Sequence, residues 1–593
     1  MRLDHPVARI RDLSVTFCAR DDTIQAVKNV TFDIDGGQTL CIVGESGSGK
    51  SVTSLALTRL TDFSSGACVS GHIVFNSQSD GSVDFTSATG TQLAALRGKE
   101  IGMVFQDPSV ALNPVLTLGR QLTEGMIHHL GITQKEANQR AISWLERTQV
   151  PDPKLRMRQY PHELSGGLRQ RVTIAMALAC NPHLLIADEP TTALDVTVQR
   201  EILALLSRLK AELNLALIVI THDMGVVAQI ADQVVVMQHG TVVESGDVTQ
   251  IFEAPCHPHT KMLIDALPVL GARKEPQAEP SLNDPILKVR DLCVRYPVRQ
   301  GVLRRTVARV HAVEDVTFDI PLGKTLGLVG ESGSGKTSVG KAILRLIDPF
   351  SGKVMIEKQD VTSLRGDALH RSRQDMQMIF QDPASSLNPL RRLVDQVAEP
   401  LQNFHVGTKK SRNERVKALF ENVQLPGDLM SRYPHEVSGG QRQRVAIARA
   451  LALNPKLIVA DEAVSALDTN VQAHVLRLLH DLQSELGLSY LFISHDLAVV
   501  ERISHQIAVM YRGRIVEKGP TRAILDNPQH AYTRSLIGAV LPVDPRNRMD
   551  LDEFSHKPVS SPTHPIGFKA PASRYHKVDA GHFVLTSECG YET

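Results

Sequence analysis

The sequence predicts an α/β chain built as two tandem copies of one phosphate-binding domain, and three observations carry that reading. The chain repeats itself: AVKNVTFDI at 26–34 returns as AVEDVTFDI at 312–320, and VFQDPSVALNP at 104–114 returns as IFQDPASSLNP at 379–389. GESGSGK stands unchanged at 44–50 and 330–336. In each copy a short apolar run, Thr39–Val43 or Thr325–Val329, leads into that glycine-rich segment, and helical sequence follows. Short apolar runs of this kind read as buried parallel strands.

The offsets divide each copy into parts. Gly44 and Gly330 stand 286 residues apart, whereas Ser165 and Ser438, Asp188 and Asp461, and His222 and His495 each stand 273 apart. The first copy therefore holds extra residues before Gln106, which the reading assigns to the polar stretch 76–90. Domains span 1–268 and 286–543, joined by a proline-rich linker at 269–285 (VLGARKEPQAEPSLNDP). Residues 544–593, rich in Pro, Ser and His without sustained period, read as a mostly irregular tail. Alternation at Val30, Phe32 and Ile34 opens a β-rich subdomain, and 107–165 and 381–437 read as helical subdomains.

At 593 residues the chain exceeds a single core. A net charge of +1 gives no electrostatic reason to expect nucleic acid as partner. No apolar run approaches the ~18–20 residues that cross a bilayer, and the N-terminus lacks the apolar stretch of a secretory signal. The seven cysteines form neither a CxxC pair nor zinc-finger spacing and read as reduced thiols. His257, His259 and His530 read as caps and packing residues rather than metal ligands.

The glycine loops comprise Gly44, Glu45, Ser46, Gly47, Ser48, Gly49, Lys50 and Ser51, and Gly330, Glu331, Ser332, Gly333, Ser334, Gly335, Lys336 and Thr337. Glycine lets the backbone curl with its N–H groups towards phosphate, and the following helix adds its positive end. Lys50 and Lys336 are expected at the β- and γ-phosphates, with Ser51 and Thr337 on Mg²⁺. Two further apolar runs end in Asp-Glu. Asp188 and Asp461 suit Mg²⁺, and Glu189 and Glu462 suit a general base. His222 and His495 each lie 34 residues beyond that aspartate. They are expected on the neighbouring strand, holding water, glutamate and γ-phosphate in line.

LSGGLRQRV and VSGGQRQRV, at 164–172 and 437–445, resemble the signature of ABC ATPases. The resemblance covers about 7–268 and 286–541. It implies two tandem ABC-type P-loop NTPase domains, each with an α/β core, a β subdomain and a helical subdomain. It also implies that Ser165, Gly166 and Gly167 of one copy, and Ser438, Gly439 and Gly440 of the other, clamp ATP against the opposite glycine loop. Gln106 and Gln381 match a glutamine that contacts Mg²⁺ and water and couples to the transport partner. Ala193-Leu194-Asp195 and Ala466-Leu467-Asp468 match the D-loop, and Phe17 and Tyr296 match the family's adenine-stacking aromatic. Two positions depart from the pattern: Leu168 replaces glutamine and Ala463 replaces proline. Neither removes a catalytic atom, so both sites are expected to hydrolyse ATP.

DPSVALNP and DPASSLNP, with the endings APCHPHTKMLIDALP (254–268) and NPQHAYTRSLIGAVLP (527–542), resemble the oligopeptide, dipeptide and nickel importer branch. The fused form without a cysteine-rich extension resembles ATPases importing glutathione and other short peptides, with no iron–sulfur cluster expected. The resemblance implies ATP and Mg²⁺ as ligands. Its implied partners are two transmembrane permease subunits and a periplasmic substrate-binding protein, with the chain peripheral on the cytoplasmic face of a bacterial inner membrane. A soluble ABC ATPase acting on ribosomes or nucleic acid is the alternative. The short Pro-rich linker and the lack of zinc cysteines weigh against it.

Overall fold

A computed structural model describes residues 6–18, 23–77, 81–192, 194–267, 269–271, 284–300, 305–465, 467–551 and 562–586. The runs read as buried strands are buried at every residue: Thr39–Val43, Leu184–Asp188 and Ala216–Thr221. Such strands need cover on both faces, which favours parallel pairing with helical crossovers. In the first copy the order across the sheet is Thr241–Asp247, Gln233–Gln238, Thr39–Val43, Ala216–Thr221, Leu184–Asp188 and Ile101–Val104. All neighbours pair parallel except the outermost Thr241–Asp247. The second copy repeats this order through Arg514–Pro520, Gln506–Tyr511, Thr325–Val329, Ser489–Ser494, Leu457–Asp461 and Met376–Ile379. The loops bearing Gly44, Glu189 and His222 thus leave adjacent strands at one sheet edge, where open α/β sheets bind ligands.

The antiparallel subdomain forms as the alternation requires. Val30, Phe32 and Ile34 are buried while Thr31 and Asp33 face outward on the strand Thr23–Ile34. It pairs with Ala8–Cys18, which pairs in turn with Ala67–Ser77. The extra residues of the first copy are shared between two places. The strand Ala67–Ser77 has 11 residues against six in Ser351–Ile356, and the hairpin partner Gly81–Asp84 has four against two in Gln359–Asp360. Only part of the insertion therefore falls in 76–90. Antiparallel helix pairs, Leu118–Leu130 with Gln134–Arg147 and Leu393–Asn403 with Lys409–Asn422, build the helical subdomains. The turn between the first two uses Gly131 at φ 63° and a capping box from Thr133 to Glu136.

Within the stretch after 544, expected to be mostly irregular, three short strands form among the described residues. Thr563–Pro565 joins the second copy's antiparallel sheet, and Tyr575–Asp579 and His582–Leu585 extend its parallel one. Buried His582 places Nε2 2.8 Å from the buried carboxylate of Glu517. The same carboxylate accepts the Gln529 and His530 amides at 2.7 and 3.0 Å. A histidine partner set deep in the core has no local periodicity, so the pattern of polar residues concealed it.

Each copy's C-terminal end docks on the other copy. Arg200 donates to the Gly538 and Asp550 carbonyls at 2.7 and 2.8 Å, and Gln229 to the Pro542 carbonyl at 2.8 Å. In mirror fashion Arg502 donates to the Ala266 and Leu267 carbonyls, and the Gly271 amide to Glu501 at 2.8 Å. Most of the expected linker lies outside the described residues.

Removing the Glu517 carboxylate leaves His582 and two amides without their shared acceptor. Glu517→Ala is expected to cost roughly 3–5 kcal/mol, seen as accelerated amide exchange across Thr521–Asp526 and Ala531–Gly538. Half-buried Glu244, which holds the Cys256 and His257 amides in the first copy, should cost less when replaced by alanine.

Candidate functional site

Each glycine loop turns directly off its strand into the helix Lys50–Leu57 or Lys336–Ile343. Gly44 has φ 152°, and a Cβ there would lie 2.3 Å from the Met237 carbonyl oxygen, so no other residue fits. Lys50 Nζ donates to the Gly44 and Glu45 carbonyls at 2.6 and 2.7 Å, and Lys336 to those of Gly330 and Glu331 at 2.6 and 2.8 Å. Burial lowers both ammonium pKa values, and the charges opposing it come first from Asp468 for Lys50 and Asp195 for Lys336. Both of those aspartates belong to the opposite copy. The hydroxyls of Ser48 and Ser334 are buried with no hydrogen-bond partner among the described residues. An unpaired buried hydroxyl is costly, and a phosphate oxygen in the curl of the loop would satisfy it. The loop therefore fits a nucleotide phosphate.

Asp188 accepts the Ser51 and Ser54 hydroxyls at 3.3 and 3.2 Å, and Asp461 accepts Thr337 at 3.0 Å. A hydroxyl beside a carboxylate at the phosphate loop is the oxygen donor set Mg²⁺ takes. Burial raises both aspartates, opposed by those hydroxyls. The next residues, Glu189 and Glu462, both sit at φ 47°, a left-handed conformation that costs about 1–3 kcal/mol for such a side chain. Their amides are pinned to the Ile220 and Ile493 carbonyls at 2.8 and 2.9 Å. Glu189 accepts from Gln106 at 2.9 Å and Thr192 at 2.8 Å, and lies 3.1 Å from His222 Nδ1. Glu462 accepts from Gln381 at 2.6 Å and lies 3.5 Å from His495 Nδ1. Gln106 and Gln381 thus meet the glutamates rather than Asp188 and Asp461.

Burial pushes the Glu189 carboxyl up, but the bond and charge of His222, with Thr192 and Lys50, outweigh it and hold the group at about 2. Glu462 is lowered by the same balance. Burial would lower the histidines; their glutamates raise them instead. In each pair the two partners favour one another's charged form.

Across the junction the copies exchange polar contacts. The Ser332 amide donates to Asp195 Oδ1 at 2.6 Å, and Thr197 donates to Glu331 at 2.8 Å. Asn470 donates to Glu45 at 2.6 Å, and the Thr469 hydroxyl reaches the His222 carbonyl at 3.5 Å. Ala193 and Ala466 lie outside the described residues, but Asp195 and Asp468 stand at the opposite glycine loop. Thr197 and Asn470 were not singled out in the sequence. Their two-residue spacing after Asp195 and Asp468 was the available signal. The carboxylates of Glu45 and Glu331, included in the phosphate loops, turn towards the other copy. Ser165 caps the helix Gly166–Leu178 through the Leu168 amide at 3.4 Å, and Ser438 caps Gly439–Leu451 through Gln441 at 3.3 Å. A Cβ on Gly167 or Gly440 would lie 2.7 or 2.4 Å from Val198 or Val471. The glycines therefore fix each signature helix against the segment that crosses the junction. Tyr296 is exposed, with its hydroxyl 3.1 Å from Ser338 just after the glycine loop. Phe17 is half-buried against the core of the antiparallel sheet. His257 and His530 accept the amides of His259 and Tyr532 at 3.2 and 3.1 Å, capping their helices as expected.

The profile of the ABC transporter family matches residues 27–192 and 313–465, and that of the oligopeptide/dipeptide transporter C-terminal region matches 243–288 and 516–567. A glutathione import ATP-binding protein of Salmonella paratyphi A is 46% identical over 98% of this chain and 96% of its own. Its counterpart in Escherichia coli K12 is 45% identical over 99% and 97%. A solved dimeric ATP-binding cassette bound to ADP and phosphate is 29% identical over 40% of this chain and 99% of its own, with a TM-score of 0.36.

The Glu189–His222 pair is intact between two titrations. It is lost as pH falls towards about 2, where the carboxylate takes a proton, and again as pH rises through the raised imidazole midpoint. In the nucleotide-free chain the NMR titration of His222 is expected above 6.5. In Glu189→Gln it should fall below that value, because burial then opposes the charge with less compensation.

Proposed function

Because the chain belongs to the ABC transporter family, in its oligopeptide/dipeptide branch, we propose that it is the ATP-hydrolysing subunit of an importer for short peptides, glutathione foremost. The observation that carries the reading is the reciprocal crossing at the glycine loops, Asn470 on Glu45 and Thr197 on Glu331. It supports two nucleotide sites, each completed by the other copy. The relatives named as glutathione import ATP-binding proteins support the choice of cargo.

Lys50 and Lys336 hold phosphate oxygens, with the backbone amides of their loops and the Ser48 and Ser334 hydroxyls. Ser51 with Asp188, and Thr337 with Asp461, would hold Mg²⁺, which when bound would neutralise charge on the phosphoryl oxygens. Glu189 and Glu462 stand where a carboxylate could take the proton of an attacking water. His222 and His495 orient those carboxylates, and Gln106 and Gln381 steady them from the opposite side. Ser165–Gly167 and Ser438–Gly440 offer amides and helix ends to the nucleotide held on the other copy.

The remainder of the machine lies in partners. No described helix is long and apolar enough to cross a membrane. Beyond each glutamine the surface is apolar: Val110, Val115 and Leu390 are 82%, 75% and 85% exposed. In the second copy this surface borders a cavity of about 580 Å³ lined by Phe380, Phe404, Glu399 and Arg449 among others. Such a mixed groove suits a short helix from a membrane-embedded permease, one for each copy, with a periplasmic protein delivering cargo. The chain would then sit on the cytoplasmic face of an inner membrane.

Reconstitution with the two permeases in lipid vesicles tests the reading. Glutathione uptake should require ATP and vanish in the Lys50→Ala/Lys336→Ala variant. Sedimentation with ribosomes in place of permease binding would refute it. Val110→Asp with Leu390→Asp should cut recovery with the permeases by about tenfold or more, corresponding to ~1.4 kcal/mol, at an unchanged unfolding temperature.

A further inference from the structure

The two nucleotide sites differ, and the differences sort by site. One comprises the glycine loop 44–51, Glu189 and the opposite signature Ser438–Gly440; the other comprises 330–337, Glu462 and Ser165–Gly167. We propose that the first site turns over ATP in each cycle, whereas the second retains ATP through successive cycles as part of the junction. This rests on the composite-site reading above.

Three features favour chemistry at the first site. The Glu189 carboxylate is oriented by Gln106, Thr192 and His222. At the corresponding place Ser465 donates instead to the Glu462 backbone carbonyl at 3.0 Å, and His495 stands off at 3.5 Å. A general base works only when its lone pair is aimed, so the less constrained carboxylate is the poorer base. Pro190, with fixed φ, follows Glu189, while Ala463 follows Glu462. The signature facing the first site is also the better organised. Gln441 accepts the Ser438 amide at 3.0 Å while Ser438 accepts the Gln441 amide, a reciprocal cap. Leu168 cannot return that bond to Ser165. Because each signature serves the opposite loop, Leu168 and Ala463 weaken the same site.

The retention half comes from the C-terminal segments. Buried Tyr532 accepts the Glu331 amide at 3.0 Å, and its ring stacks on Tyr511 with centroids 4.2 Å apart. Thr197 holds the carboxylate of the same Glu331. The second loop is thereby anchored from its own copy and from its neighbour before nucleotide arrives, so binding costs less ordering. In the first copy His259 takes the tyrosine's place, 3% exposed, and neither ring nitrogen has a hydrogen-bond partner among the described residues. The first loop lacks that anchor and is the easier one to empty.

In the turnover step a water oxygen bonds to the γ-phosphorus and the bond from that phosphorus to the β-bridging oxygen breaks. The water's proton passes to Glu189 and then to solvent, leaving ADP and phosphate. With the full-length chain, Glu189→Gln should lower ATP turnover by about tenfold or more and Glu462→Gln by less than about threefold. After one turnover of the unmodified chain, quenched protein should carry one ADP and one ATP. Tyr532→Phe should speed release of the retained ATP severalfold. Equal losses in the two single variants, two ADP per chain, or unaltered release from Tyr532→Phe would overturn the proposal. The double Glu189→Gln/Glu462→Gln variant separates the levels: turnover at the unmodified rate there would overturn the assignment of both glutamates, whereas abolished turnover with equal single losses removes only the division of labour.

Discussion

A loop that must open backbone amides to an incoming anion can take only part of its support from its own domain, and the rest has to come from elsewhere. Here it comes across the junction: Asp195 accepts the Ser332 amide, Thr197 holds Glu331 and Asn470 holds Glu45. Aspartate charges from the opposite copy also act on the buried Lys50 and Lys336. Burying a lysine without compensation would drive off its proton. The charged state of both ammonium groups thus depends on the arrangement of both copies.

Much of this was legible in the linear text because chemistry at strand ends is local. A buried run followed by GESGSGK or Asp-Glu fixes where the loop, carboxylate and histidine emerge, and Ser51, Asp188, Glu189 and His222 stand together at one sheet edge. What was not legible is non-local. Thr197 and Asn470 carry no motif, and their meaning depends on facing a second copy. His582 acquires its role only beside Glu517, 65 residues earlier in the chain. The last residues read as a mostly irregular tail, because pairing partners for edge strands leave no periodic trace when the strands have three to five residues.

The C-terminal segments join these two scales. Glu244 and Glu517 seat the turn that ends in His257 or His530, and those histidines cap the short helices carrying His259 or Tyr532. Past those helices the chain crosses to the other copy, where Arg200, Gln229 and Arg502 receive it. In the second copy the segment therefore touches both its own glycine loop, through Tyr532, and its neighbour's flank.

Joining both copies in one polypeptide has an evolutionary consequence. In a symmetric homodimer every substitution appears in both pockets at once, so neither can change its chemistry without the other. A tandem chain escapes that symmetry: Leu168, Ala463 and His259 each exist once. Tethering also fixes the stoichiometry and keeps the local concentration of one half around the other high at any expression level. Gene fusion is then more than a convenience of assembly; it guarantees that two different halves always meet each other rather than a copy of themselves.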